Sequence, residues 1–105
     1  MIAELQTRVS RLVTITNADT TPSVLGGAVL LTANSGSTSI TTFDDGEAGR
    51  SIDFIFGDGN TTLVHGTNLQ LTGGANYTGT AGDTMSFTTD DGTIWRQIAS
   101  AAQFS

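Results

Sequence analysis

The stretch Arg50–Leu71, RSIDFIFGDGNTTLVHGTNLQL, holds the bulkiest short apolar run of the chain, Ile52-Asp-Phe-Ile-Phe56. In an extended strand Ile52, Phe54 and Phe56 share one face, while Asp53 and Ile55 point the other way. Asn60-Thr-Thr-Leu-Val64 and Asn68-Leu-Gln-Leu71 follow, with Gly57, Gly59 and Gly66 at the joints. The pattern predicts three short strands linked by tight turns. No catalytic constellation accompanies them.

The same texture continues on the C-terminal side. Gly73–Gly82 is a glycine-rich loop carrying Tyr77, and Thr84–Thr89 and Thr93–Ile98 read as strands around Asp91-Gly92. That dipeptide favours a two-residue type I′ hairpin. The turn would set Thr89 opposite Ile94, Phe87 opposite Arg96 and Met85 opposite Ile98. Met85, Phe87, Ile94 and Ile98 would then form one apolar face, with Trp95 on the other. Large apolar groups on both faces call for a sandwich or a subunit interface. Ala99–Ser105 carries no strong pattern.

On the N-terminal side, Ala28–Thr32 and Thr38–Phe43 read as strands separated by an Asn34-Ser-Gly36 turn, and Asp44–Gly49 as a loop. Thr14–Gly27 reads as a connector, rich in threonine and broken by Pro22 and Gly26-Gly27. Met1–Val13 is the one helical stretch. Ile2, Leu5, Val9 and Leu12 have a/d spacing, and so narrow a stripe favours self-association over docking on the domain. β-Branched residues at a with Leu at d lean towards a dimer.

The chain has 105 residues, enough for one domain with a modest core. Apolar residues make up 37% and aromatics 7%, so that core is lean. Cysteine is absent, which removes any disulfide framework. No apolar run approaches the length of a membrane span, and no secretory signal pattern is present. The net charge is −6 without a single lysine, which argues against nucleic acid and against an anionic membrane surface as partners.

Several stretches resemble chemical sites and are read as turns. Gly57-Asp-Gly-Asn60 and Asp44-Asp-Gly46 lack the spacing of a calcium loop. The glycines at 73, 74, 79 and 82 match no phosphate-binding pattern. His65 is the sole histidine, and a histidine at a strand end is more often structural than catalytic. Asp45, Asp58, Asp83 and Asp91 each adjoin a glycine, where turn formation is the usual task of aspartate. The expectation is therefore no catalytic residue, no metal and no cofactor.

Leu71–Met85, LTGGANYTGTAGDTM, followed by Asp91-Gly-Thr-Ile-Trp-Arg96, resembles a module of bacteriophage tailspike and tail-fibre proteins. Thr41–Gly46 and Arg50–Gly57 resemble its earlier part, so the likeness spans about residues 21–98. The resemblance implies a homotrimeric β module that clamps fibre chains together in a virion tail assembled in the host cytoplasm. It also moves the expected oligomer from dimer to trimer. Such modules often accompany a long β-helix that binds or cleaves polysaccharide; this chain is too short to contain one, and no enzymatic activity is carried over.

The resulting expectation is an all-β fold with a short N-terminal coiled-coil helix (1–13), a connector (14–27) and a β trimerisation domain (28–105), intertwined or packed as a homotrimer. Ile2, Leu5, Val9, Leu12, Phe54, Phe56, Leu69, Leu71, Phe87 and Trp95 would form the trimer interface. Partners would be further copies and neighbouring domains of a longer fibre chain. The alternative is a carbohydrate-binding module for host surface polysaccharide, with Tyr77 and Trp95 as stacking faces. A glycosidase would need two carboxylates about 5–10 Å apart in one cleft.

Overall fold

The Ile52–Phe56 run builds the centre of the fold. In the computed structural model, which describes residues 11–100, Ile52, Phe54 and Phe56 are buried and Asp53 is exposed, as strand alternation requires. Among the described residues nine strands follow in order: β1 Leu12–Thr14, β2 Val29–Leu31, β3 Thr38–Ile40, β4 Ser51–Ile55, β5 Thr61–Leu63, β6 Leu69–Gln70, β7 Tyr77–Thr78, β8 Thr84–Thr89 and β9 Trp95–Ser100. They form two sheets, β1-β2-β4-β8-β9-β6 and β3-β5-β7.

From β2 to β8 the chain alternates between the sheets, and up to β5 it lays each pass parallel to the one before. Leu12, Val29 and Asp53 are equivalent positions of β1, β2 and β4, and Thr38 pairs with Thr61 across β3 and β5. A parallel bridge from Ser23 to Asp44 ties the earliest pass to the next. The result is a short stack of coils, a β-solenoid in miniature. The direction then reverses. β8 runs antiparallel along β4 and β7 antiparallel along β5, so the parallel coiling ends in both sheets, and β9 and β6 extend the larger sheet beyond β8. β1 is the outer strand on the opposite side of the larger sheet among the described residues.

The core lies between the sheets. Phe43 sits at its middle, with ring centroids 5.7, 5.4 and 5.6 Å from Phe54, Phe87 and Trp95. The contacts with Phe87 and Trp95 are edge-to-face, a geometry that adds about 0.5–1.5 kcal/mol per pair beyond area burial. Leu30, Ile40, Leu63 and Leu69 fill the space around the rings. The Trp95 indole N–H donates to the Phe43 carbonyl at 3.2 Å, so its polar atom is satisfied inside the core.

Three expectations are corrected. First, no helix occurs among the described residues, and no coiled coil with it. Leu12 and Val13, assigned to the helix, belong to β1; Ile2, Leu5 and Val9 lie outside the described residues. The run Val13-Thr-Ile-Thr16 is rich in β-branched residues, which suit strands. The edge of β2 gives it a partner: the Arg11 carbonyl accepts from Ala28 and Val29, and Ile15 N–H donates to Leu31. Two heptads had little to set against that.

Second, the β region is not intertwined. Its aromatic core closes within one chain, and the radius of gyration of 13.4 Å is close to the roughly 13 Å of a compact domain of this length. Residues 14–27 take part in that closure, because Ile15 and Val24 are buried in the core.

Third, the β8–β9 connection is not a two-residue turn. Thr89 pairs with Trp95, not Ile94, and a bulge lies between Ser86 and Phe87. Only Gly92 has positive φ there, at 89°, so the turn is not type I′. The Asp91 side chain sets the loop instead, its Oδ1 accepting from Thr93 N–H and Ile94 N–H. The shift puts Trp95 on the same inner face as Phe87 and leaves Ile98 exposed.

Gly79 crosses directly over the Phe56 ring, where an added Cβ would lie 2.1 Å from Cδ2. Gly79→Ala is expected to lose about 1–3 kcal/mol in urea unfolding through overpacking. Gly36→Ala, in open space, should change stability by less than about 0.5 kcal/mol.

Candidate functional site

Strands of a parallel stack pair by backbone; its corners cannot, because the chain turns there between sheets. This fold fills one corner with side chains. Three tiers meet at Asn17-Ala18, Asn34-Ser35 and Asp58–Thr61. Asn34 Oδ1 accepts from Ala18 N–H at 2.7 Å, and Asn17 Oδ1 accepts from Ser35 N–H at 2.9 Å. Asn34 N–H donates to Asp58 Oδ2 at 2.8 Å, and its Nδ2 donates to Thr61 Oγ1 at 2.7 Å. Asn60 Nδ2 returns a bond to the Asn34 carbonyl at 2.8 Å. Asn34 is almost wholly buried, and every polar group it has is used.

Asp58 is the hub. Its Oδ2 also accepts from Thr32 Oγ1 at 2.6 Å, and its Oδ1 accepts from Asn60 N–H and Thr61 Oγ1, both at 2.8 Å. Burial pushes the carboxyl up, but hydrogen bonds from Thr32, Asn34, Asn60 and Thr61 outweigh it and hold the group below the usual carboxylate range. The Gly57–Asn60 segment is thus a structural corner. Its carboxylate faces inward and is fully engaged.

The other acidic loops are engaged as well. Asp45 Oδ2 accepts from Ser23 Oγ at 2.6 Å. Gly46 and Gly92 pack backbone against backbone beside Trp95. Backbone N–H groups of Ile94 and Thr93 hold the Asp91 carboxyl below its ordinary range. Arg50 Nη2 donates to the Val24 and Gly27 carbonyls, pinning the first tier to the start of β4. Among the described residues, no three His, Asp or Glu side chains are grouped to hold a metal.

The expected contact residues divide into two groups. Phe54, Phe56, Leu69, Leu71, Phe87 and Trp95 are all buried inside the single chain, none more than 5% exposed. Leu12 is 59% exposed on β1. Of the two stacking candidates, Trp95 has no exposed face. Tyr77 is half-buried and packs edge-on against Phe56, its centroid 5.7 Å away. Its hydroxyl donates to Asp83 Oδ2 at 2.6 Å. This bond, with burial and the Asp83 charge, raises the phenol to about 12.

Tyr77 also lines an open cleft of about 390 Å³ with Leu71, Thr72, Asn76, Met85 and Gln97. His65 frames the loop that forms it: His65 N–H donates to Asn76 Oδ1 at 2.9 Å, and Leu71 N–H donates to His65 Nδ1 at 3.0 Å. That bond places the imidazole proton on Nε2 and gives the histidine a structural role. Residue types alone did not reveal this cleft, because Gln97 and Met85 reach it only through the β8–β9 register. No protein-family model matches the chain, and no curated protein does.

The corner makes stability depend on pH. The folded Asp58 pKa lies below its unfolded value near 3.8, so its contribution is complete above that value and is lost as pH falls through the folded pKa. Between about pH 5 and pH 2 the parent should lose stability more steeply than Asp58→Asn, which has no carboxyl to titrate there. Urea midpoints at stepped pH measure this, and parallel slopes for the two proteins would contradict it. At neutral pH Asp58→Asn should cost about 1–3 kcal/mol, because one amide cannot accept all four bonds.

Proposed function

We propose that this chain is a non-catalytic structural module of a phage tail fibre or tailspike, in which copies run side by side as a trimer and each seals the end of its own coil stack. The observation that carries this reading is the reversal of strand direction in both sheets at β7 and β8. The reversal ends the parallel coiling, because the strands laid beside β4 and β5 no longer repeat the direction of a coil. The stretches that resemble the tail-fibre module coincide with this cap: Leu71–Met85 supplies the loop, β7 and the start of β8, and Asp91–Arg96 supplies the turn into β9. The engaged carboxylates support a structural role over hydrolysis.

The aromatics are spent inside the chain, so association must use the outer surface. On the outer face of the larger sheet Leu12 lies beside Val29, and Leu31 beside Ile55. Leu12 is exposed and the other three are half-buried. β8 continues the same face with Thr84, Ser86 and Thr88, so the aliphatic strip is confined to β1, β2 and β4. Exposed Asp53, held by Ser86 Oγ at 2.7 Å, lies beside Val29 on the same face, so contact between copies that each carry a net charge of −6 rests on the four aliphatic side chains around it.

Sedimentation velocity of the chain at micromolar concentration is expected to give a trimer that tightens with added salt as like-charge repulsion is screened. Leu12→Asp should yield a monomer with an unchanged circular-dichroism spectrum. A parent protein that is a folded monomer at every concentration would overturn the trimer reading.

A further inference from the structure

The cleft beside Tyr77 has features that the structural role does not require. Its floor is apolar, built from the buried side chains of Leu71 and Met85 and the partly exposed ring of Tyr77. Its rim carries two amides whose orientation is fixed by backbone donors. Asn76 Oδ1 accepts from His65 N–H at 2.9 Å, and Gln97 Oε1 accepts from Thr72 N–H at 2.9 Å. With the oxygens committed, both NH2 ends are left to donate. Among the described residues, no ionisable side chain lines the cleft except the Tyr77 phenol, whose hydroxyl is held by Asp83.

We infer that this cleft binds a neutral saccharide unit, with one ring face against Tyr77 and Met85 and two ring oxygens or hydroxyls accepting from Asn76 Nδ2 and Gln97 Nε2. The chemistry selects that class. A phosphate or carboxylate would need a cation, and none lines the site. A purely apolar ligand would leave two oriented donors without partners. A sugar offers an apolar C–H face and a ring of acceptors together. The size matches, since small-ligand clefts begin at about 300 Å³. The site lies on β7, β8, β9 and the 71–76 loop, away from the Leu12–Ile55 strip, so it is independent of the assembly reading.

The amide geometry supplies the variants. Asn76→Asp and Gln97→Glu keep the oxygen that accepts the backbone N–H and replace only the donating NH2. The probes are glucose, galactose and N-acetylglucosamine, with N-acetylglycinamide as the peptide-like control. Each is titrated into 15N-labelled protein while side-chain amide and Met85 methyl signals are followed. For at least one sugar, saturable shifts at Asn76, Gln97 and Met85 are expected together. In the double variant binding should weaken about tenfold or more, from the loss of two hydrogen bonds. The spectrum outside the cleft should be unchanged, which separates lost binding from lost fold. No saturable shift with any sugar, shifts of equal affinity in the double variant, or a response to N-acetylglycinamide alone would each overturn the inference.

Discussion

A carboxylate at a corner governs this fold. Stacking strands in parallel solves the backbone problem along the sheets and recreates it where the chain turns. Asp58 answers it for the last tier and reaches back to the tier before through Asn34 N–H and Thr32 Oγ1. Asn34 in turn reaches the first tier through Ala18 N–H. Three turns distant in sequence become one polar unit. Ala18 pays a local cost, with φ of 67° in the left-handed region; the bond to Asn34 Oδ1 holds it there.

The aromatic core and the ladder depend on each other. Phe43, Phe54, Phe87 and Trp95 supply the apolar burial of a lean chain. They meet only because β2 and β4 are in parallel register and β8 closes on β4, a register that the corner fixes at its end. A slip of one residue in β4, β8 or β9 would turn the ring that strand carries to the outside. The cap serves the same end, since Gly46 and Gly92 meet beside Trp95 and allow two loops to close over it.

The alternation of Ile52, Phe54 and Phe56 made the inner face of β4 legible in the sequence, and the turn residues located nearly every joint. What failed was non-local. The a/d spacing at Ile2, Leu5, Val9 and Leu12 is a genuine helical pattern, yet Leu12 and Val13 pair with β2, a partner that local periodicity does not reveal. Asp91-Gly92 signals a turn correctly and its length wrongly, because Asp91 caps two backbone N–H groups beyond the dipeptide. Large residues on both faces of β8 and β9 suggested subunit contacts; a five-residue loop puts Phe87 and Trp95 on one face instead. Asp58 read as an ordinary turn aspartate, since its partners at 32 and 34 come from another coil. Of the site now proposed, Tyr77 alone was visible; Asn76 and Gln97 gain meaning only when register brings them together.

Native-state hydrogen exchange addresses the corner most directly. The N–H groups of Ala18, Asn34 and Asn60 donate to side-chain oxygens, not to a strand. If the ladder holds the tiers together, these three amides exchange only through global unfolding, at the same free energy as the β-strand amide of Phe54. Exchange at the rate of an ordinary surface loop would contradict the account.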